Sequence, residues 1–260
     1  MTQKFYTINI LRQMLHKDRR RVIFNKIISR LNRKKVRNAE NLKWISDHSV
    51  EWGEFLSTVK SASLIKEVQY ATQKIENHSS GVLNSIPFKM GGAGCYPLIY
   101  LMVKKLRPNT VVETGVAAGF SSYAALLALQ ENNQGRLFSS DFPYFRVKDP
   151  EKYIGCVVPD NLKSKWKLYI DGDEKSLPMI LSEIDSIDLL HYDSDKTYYG
   201  REYAMNLLST YINENTIIIM DDIQDNPFFY NYIVKESISD WRIISYQGKY
   251  LGVIGSEGIV

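Results

Sequence analysis

Cysteine is scarce in this chain: its 260 residues include two, Cys95 and Cys156, with neither metal-ligand nor Cys-x-x-Cys spacing. That fits reduced thiols in a cytoplasmic protein. Long apolar runs are missing as well. No stretch of about 18 apolar residues occurs, so no membrane-spanning helix is expected, and the N-terminus is too polar and too interrupted for a secretory signal. Neither an internal repeat nor a low-complexity tract is present. Acidic charge is almost absent from one region. Between Arg12 and Arg37 eleven Lys/Arg stand against a single acid, Asp18, although the whole chain carries only +4. The remainder is therefore net acidic.

This basic run has two readings. It is the solvated face of a helix whose buried side carries Leu11, Leu15, Ile23, Ile27 and Leu31, or residues 12–37 touch an anionic membrane surface. The run lacks aromatic interleaving, so nucleic acid is not an expected partner.

What is present reads as an ordinary globular chain: 44% hydrophobic and 24% charged residues, with length enough for one α/β domain and an added segment. Residues 1 to about 85 look helical and irregular, without strand alternation. Trp44, Trp52 and Phe55 are expected to pack this region onto the main domain or a second subunit, and Asn77 to Gly81 reads as a boundary. The division is thus 1–85, a basic helical extension, and 86–260, the main domain. Met90 to Tyr96 is a glycine-rich loop leading into a helix over about 96–106, which Arg107-Pro108-Asn109 stops. From there strands and helices alternate. Strands are predicted at Thr110–Glu113, Arg136–Ser140, Lys167–Ile170, Ile187–Tyr192 and Thr216–Met220. Helices follow at Phe120–Glu131, up to Leu181, at about 200–211 and at about 227–236. Such alternation implies a parallel sheet covered on both faces. The tail differs: Trp241–Tyr246 and Tyr250–Ile254 flank Gln247-Gly248-Lys249 and read as a β-hairpin.

Two segments carry chemistry. In the first, Val111-Val112-Glu113 runs through Gly115 and Gly119 into a helix. Glycines there let backbone approach a ligand, and the helix start favours an anionic group. Ser121, in the first helical turn, can bond a carboxylate. A tight turn without ligand would look the same. The spacing is not the Gly-x-Gly-x-x-Gly of dinucleotide folds, which disfavours a nicotinamide enzyme. Glu113 would repel a pyrophosphate yet suits a cofactor bearing an ammonium group. Asp141 ends the second strand, where an acid commonly accepts from ribose hydroxyls; a solvent-exposed turn acid is the alternative.

The segment Glu113-Thr114-Gly115-Val116-Ala117-Ala118-Gly119-Phe120-Ser121 resembles the first motif of class I S-adenosylmethionine-dependent methyltransferases. The nearest variant is that of the catechol O-methyltransferase group and of bacterial small-molecule and sugar O-methyltransferases. The similarity runs from about Tyr96 to the C-terminus, and it implies a Rossmann-like, doubly wound, mostly parallel seven-stranded sheet whose last two strands form the antiparallel hairpin. By this resemblance Glu113, Gly115, Gly119 and Ser121 line the methionine end of S-adenosylmethionine and Asp141 binds its ribose. Asp173 lies near the adenine, a place Asp171 would also suit.

The second chemical segment is a pair of strand ends. Asp193 ends the fourth strand and Asp221-Asp222 the fifth, so their carboxylates converge on one crevice. Three hard oxygen donors suit Mg²⁺ or another divalent cation, and without a cation they would raise one another's pKa. Helix caps are the competing reading. The family resemblance adds a base three residues after the metal aspartate, which here is Lys196. The sugar-type relatives have histidine at that place, so Asp195 stays open beside Lys196. A cation that lowers the pKa of an acceptor hydroxyl, with a neutral lysine to take its proton, fits methyl transfer to oxygen. His191 reads as a buried core histidine. Aromatics at Phe142 to Phe145 and Phe228 to Tyr230 either cover the acceptor or pack the core.

The expected activity is Mg²⁺-assisted O-methylation of a small molecule or of a sugar or glycan residue, in a cytoplasmic protein that forms a possible homo-oligomer. The alternatives are a non-catalytic protein of the same fold working through its basic N-terminal helix, and a hydroxylase-like relative.

Overall fold

The structure is a computed structural model, and its described residues are 3–15, 19–20, 22–24, 27, 38–90 and 93–255. In chain order they form α1 (Gln3–Met14), α2 (Ala39–His48), β1 (Ser49–Glu51), α3 (Trp52–Ser57), α4 (Ala62–Asn84), α5 (Tyr96–Leu106), β2 (Thr110–Thr114), α6 (Phe120–Glu131), β3 (Arg136–Ser140), β4 (Trp166–Tyr169), α7 (Asp173–Leu181), β5 (Leu189–Tyr192), α8 (Tyr198–Leu208), β6 (Ile217–Met220), α9 (Phe228–Lys235), β7 (Trp241–Tyr246) and β8 (Lys249–Ile254), with short 3₁₀ turns between.

The strands make one eight-stranded sheet in the order β1-β7-β8-β6-β5-β2-β3-β4. All pairings are parallel except those of β8 with β6 and β7. The strands are apolar on both faces because both are covered. Val111, Leu189, Ile217 and Ile219 join α4, α5 and α6 in one core. Their neighbours Val112, Leu190, Ile218 and Met220 face the other way, against α7, α8 and α9. The period of two along each strand thus sorts residues into the two cores. The hairpin closes through Gln247 (φ 49°) and Gly248 (φ 76°), two left-handed residues that match the twist of the strands they join.

This bears out the α/β reading with its closing hairpin, and it adds a strand. Ser49–Glu51 pairs in parallel with β7, Ser49 opposite Ile243. At three residues it is too short for alternation to show, and the unpaired edge of β7 is what recruits it. Around it Trp44 packs on Tyr230 and Trp241, with ring centroids 4.9 and 5.3 Å away, and Trp52 meets Tyr246.

Two further expectations are corrected. Asn77 to Gly81 is no boundary: it continues α4, whose buried stripe runs Val68, Ala71, Ile75, Ser79. Packing of that stripe overrides the polar, turn-like composition. In the basic region Ile23 is fully buried against Phe142 and Phe145 with Ile10, Met14, Val22 and Ile27, but Leu11 and Leu15 are exposed rather than buried. Leu31 and most of the basic run lie outside the described residues, as do Gly91 and Gly92.

The parallel crossovers bring the C-terminal ends of β2, β3, β5 and β6 to one edge. Strand order reverses between β5 and β2, the place where such sheets leave a crevice.

Candidate active site

The crevice is bounded first by the loop after β2. Gly115 has φ 84°, and a Cβ there would fall 2.6 Å from the carbonyl oxygen of Asp193. The β2 and β5 loops therefore close on each other only because residue 115 has no side chain. Gly119, φ 99°, starts α6 against Gly155. A small cleft lies over this loop, lined by Ala93, Gly115 to Ser121 and Asp193.

The acids of this half are held from inside the chain. Glu113 is buried, and its Oε2 accepts from Ser122 Oγ at 2.5 Å and Ser139 Oγ at 2.8 Å. His191 Nδ1 lies 3.5 Å from its Oε1. Burial pushes the Glu113 pKa up, but the His191 ring and the Ser121 and Ser122 hydroxyls outweigh it and hold the carboxyl below its usual range. His191 is the buried histidine expected from sequence. Burial lowers its pKa, yet Glu113, and beyond it Asp193 and Asp221, leave it raised. Asp141 accepts through Oδ2 from the amides of Val116 (3.2 Å) and Ala117 (2.8 Å) and through Oδ1 from Phe142 N. It stitches β3 to the glycine loop.

A larger cleft opens beyond, lined among others by Asp141, Phe142, Gly172, Asp173, Ser194 and Tyr199. Asp173 accepts from Ser140 Oγ at 2.7 Å and from Ser194 Oγ. Asp171 is exposed and is not among the lining residues.

The acid cluster stands at the ends of β5 and β6. Asp193, Asp221 and Asp222 each offer a carboxylate oxygen within 4.8 Å of the others. Lys196 reaches across them, 2.7 Å from Asp193 Oδ1 and in contact with Asp222 Oδ2. Asp222 also accepts from Gln224 at 2.9 Å and has Lys249 at 3.7 Å. Asp221 is the odd one out. Its Oδ1 accepts from Asp222 N, while its buried Oδ2 has no hydrogen-bond partner among the described residues. A Cβ on Gly94 would sit 2.8 Å from that oxygen, so a glycine keeps the approach open. Burial, then repulsion from Asp193 and Asp222, pushes the Asp221 pKa up to about 7 despite Lys196 and His191. Burial disfavours charge on Lys196 too, but Asp193, Asp222 and Asp221 outweigh it and hold its proton tightly.

Residues 112–223 match the model of a family described as a methyltransferase domain. The matched span runs from within β2 past the end of β6, and so takes in the glycine loop, Asp141, Asp173 and the acid cluster. Among solved structures the chain is similar to the SAH-bound methyltransferase PaMTH1 of Podospora anserina. That similarity has a TM-score of 0.52 at 12% identity and covers 75% of this chain and 96% of that one. It is likewise similar to an O-methyltransferase of Bacillus cereus in complex with SAH, with a TM-score of 0.51 at 15% identity, covering 76% and 92%. These likenesses establish the fold, a Rossmann-like, mostly parallel sheet closed by an antiparallel hairpin. No curated protein matches the chain.

This fold gathers the sequence candidates into two groups: Glu113, Gly115, Gly119, Ser121, Asp141 and Asp173 around the clefts, and Asp193, Asp221, Asp222 and Lys196 in the cluster. Asp195 lines the larger cleft beside Asp173 and Ser194, away from the three-carboxylate cluster. It is exposed, and its Oδ1 accepts from Thr197 N at the start of α8. Phe228 and Phe229 are core residues of the sheet's second face. Phe142 and Phe145 cover the N-terminal segment. One residue escapes sequence reasoning: Arg201, fully buried, donates to the carbonyls of both Asp221 and Asp222 at 2.9 Å and fixes that turn. No pattern in the sequence distinguishes it from a surface arginine of α8.

Proposed function

We propose that this protein is an S-adenosylmethionine-dependent O-methyltransferase acting, with a divalent cation such as Mg²⁺, on a hydroxyl of a small molecule or of a sugar or glycan residue. The observation that carries the reading is the partnerless, buried Asp221 Oδ2 within a three-carboxylate cluster beside the glycine loop. The set fits a hard cation: its donors are all carboxylate oxygens, and one of them lacks a partner although burial makes that costly. Asp193, Asp221 and Asp222 would hold the ion. When bound, it supplies Lewis acidity that lowers the pKa of an acceptor hydroxyl.

The remaining work falls to the chain. The Gly115–Gly119 backbone positions the methionine end of the cofactor, with Ser121 in the first turn of α6 and Glu113 fixing the hydroxyls there. Asp141 serves the ribose end while holding the loop in shape, and Asp173 borders the adenine end. Orientation of the sulfonium methyl against the acceptor oxygen carries much of the rate enhancement, since no covalent enzyme intermediate is needed. Lys196 takes the hydroxyl proton at Nζ. Left as the counter-ion that Asp193 and Asp222 share, it keeps its own proton, so its use as a base requires those carboxylates to be otherwise engaged.

Methyl transfer from labelled S-adenosylmethionine to a panel of phenols, catechols and sugar hydroxyls, with Mg²⁺ and with chelator, tests the proposal. Turnover should depend on Mg²⁺ and should be lost in Asp193→Ala and Asp221→Ala. Turnover and metal response intact in both variants would sink it.

A further inference from the structure

The catalytic reading leaves the N-terminal segment without a task, and the structure gives that segment two distinct apolar faces. One is anchored. Ile10, Met14, Val22 and Ile27 pack with fully buried Ile23 on Phe142 and Phe145. Asn9 donates to the Arg146 carbonyl, and Arg19 pairs with Glu151 at 2.7 Å. Val22 also lines the larger cleft beside Gly172 and Asp173. The segment is therefore seated on the domain.

The second face is left exposed among the described residues. Ile8, Leu11 and Leu15 recur at i, i+3 and i+7, one stripe of a helix. They are 48%, 61% and 74% exposed, and Phe24 is 58% exposed. A fully covered domain has no reason to line up three exposed aliphatics on one stripe, among them Leu15 and Leu11, the two most exposed aliphatics of the described residues. The same stretch of chain holds eleven Lys/Arg against one acid between residues 12 and 37.

We propose that this face docks on an anionic lipid bilayer surface, with Ile8, Leu11 and Leu15 entering the headgroup–acyl boundary and the basic run neutralising lipid charge. The pairing of bare aliphatics with clustered cations favours a membrane over the other polyanion, nucleic acid. Phosphate backbones reward the cations but give Leu11 and Leu15 nothing to bury against. Cations alone would give weak attraction, and one apolar stripe alone would be marginal; together they make a reversible two-part anchor. The proposal does not depend on the acceptor or on the metal.

Co-sedimentation of the full-length protein with vesicles tests it. Vesicles of phosphatidylcholine containing about a third phosphatidylserine should capture the protein at least tenfold better than phosphatidylcholine alone, and added salt should release it. The double variant Leu11→Asp/Leu15→Asp should lose at least tenfold in vesicle affinity while keeping its melting temperature and cofactor binding, because both side chains point into solvent. Ile8→Asp provides the same test should the double variant fold poorly. Lys34→Glu/Lys35→Glu should cost roughly fivefold per charge removed. Equal capture by both vesicle types, no capture, or capture indifferent to the Asp variants would overturn the proposal. So would tighter binding to RNA than to anionic vesicles, or a dimer that dissociates in Leu11→Asp/Leu15→Asp without any vesicle binding.

Discussion

The two halves of the crevice treat charge in opposite ways. On the glycine-loop side each acid is answered from within the chain: Glu113 by Ser122, Ser139 and His191, Asp141 by three backbone amides, Asp173 by Ser140 and Ser194. At the strand ends three carboxylates draw on Lys196 and Lys249, and Asp221 Oδ2 is left over. A half whose polar groups are already satisfied can present fixed backbone to a cofactor without rearranging. A half with unmet negative charge is completed by something brought from outside.

The contrast breaks most completely at Gly115, where the halves touch. Gly115→Val places a Cβ 2.6 Å from Asp193 O at a left-handed φ. S-adenosylmethionine binding should become undetectable by calorimetry, and denaturant unfolding should show a loss of roughly 3 kcal/mol. Normal cofactor affinity in this variant would mean that the close approach of the two loops is incidental.

Lys196→Gln separates the halves functionally. Turnover should fall by about 10²–10³-fold while the affinity for S-adenosylhomocysteine stays unchanged. A parallel fall in both would assign Lys196 to holding the fold instead of to proton transfer.

Glu113→Gln probes the satisfied side. It removes a buried charge that three partners stabilise, so unfolding at neutral pH should be easier by about 2 kcal/mol. The folded pKa of Glu113 lies below its ordinary 4.5. Its contribution is therefore complete above that value and is lost as pH falls through the folded pKa. Melting curves of variant and parent should converge in acid; a gap that persists unchanged there would show that the effect is packing and not charge.

Asp221→Asn should have the smallest effect, and of opposite sign. With a folded pKa of about 7 against an ordinary 3.8, ionised Asp221 costs stability progressively as pH rises between those values. The metal-free variant at pH 8 should be more stable than its parent by about 1–2 kcal/mol, and Mg²⁺ should no longer raise its melting temperature. A destabilised variant would contradict the account of unmet charge.

Much of this contrast can be read from sequence because it rests on local features. Short apolar strands at Thr110, Arg136 and Ile217, glycines at 115 and 119, and acids at strand ends are each visible in a handful of residues. What escapes is set by partners far along the chain. Glu113 and Asp141 read as ligand-facing acids, and only the fold shows that Ser139, Val116 and Ala117 already occupy them. Asp195 and Lys196 are adjacent and both stand as candidate bases in one dimension, yet the turn after β5 sends one to the Thr197 amide at the rim of the larger cleft and the other across the cluster. Ser49–Glu51 becomes a strand because β7 offers an edge, and Leu11 parts from Ile23 because Phe142 and Phe145 cover only one side of the N-terminal segment.

Calorimetric titration of S-adenosylhomocysteine into the protein, once with Mg²⁺ and once with chelator, tests most directly the claim that a complete cofactor half stands beside an incomplete acceptor half. One-to-one binding of the same affinity in both conditions is predicted. No binding at all would contradict the methyltransferase reading of the site, and binding that vanishes with chelator would contradict the division between its two halves.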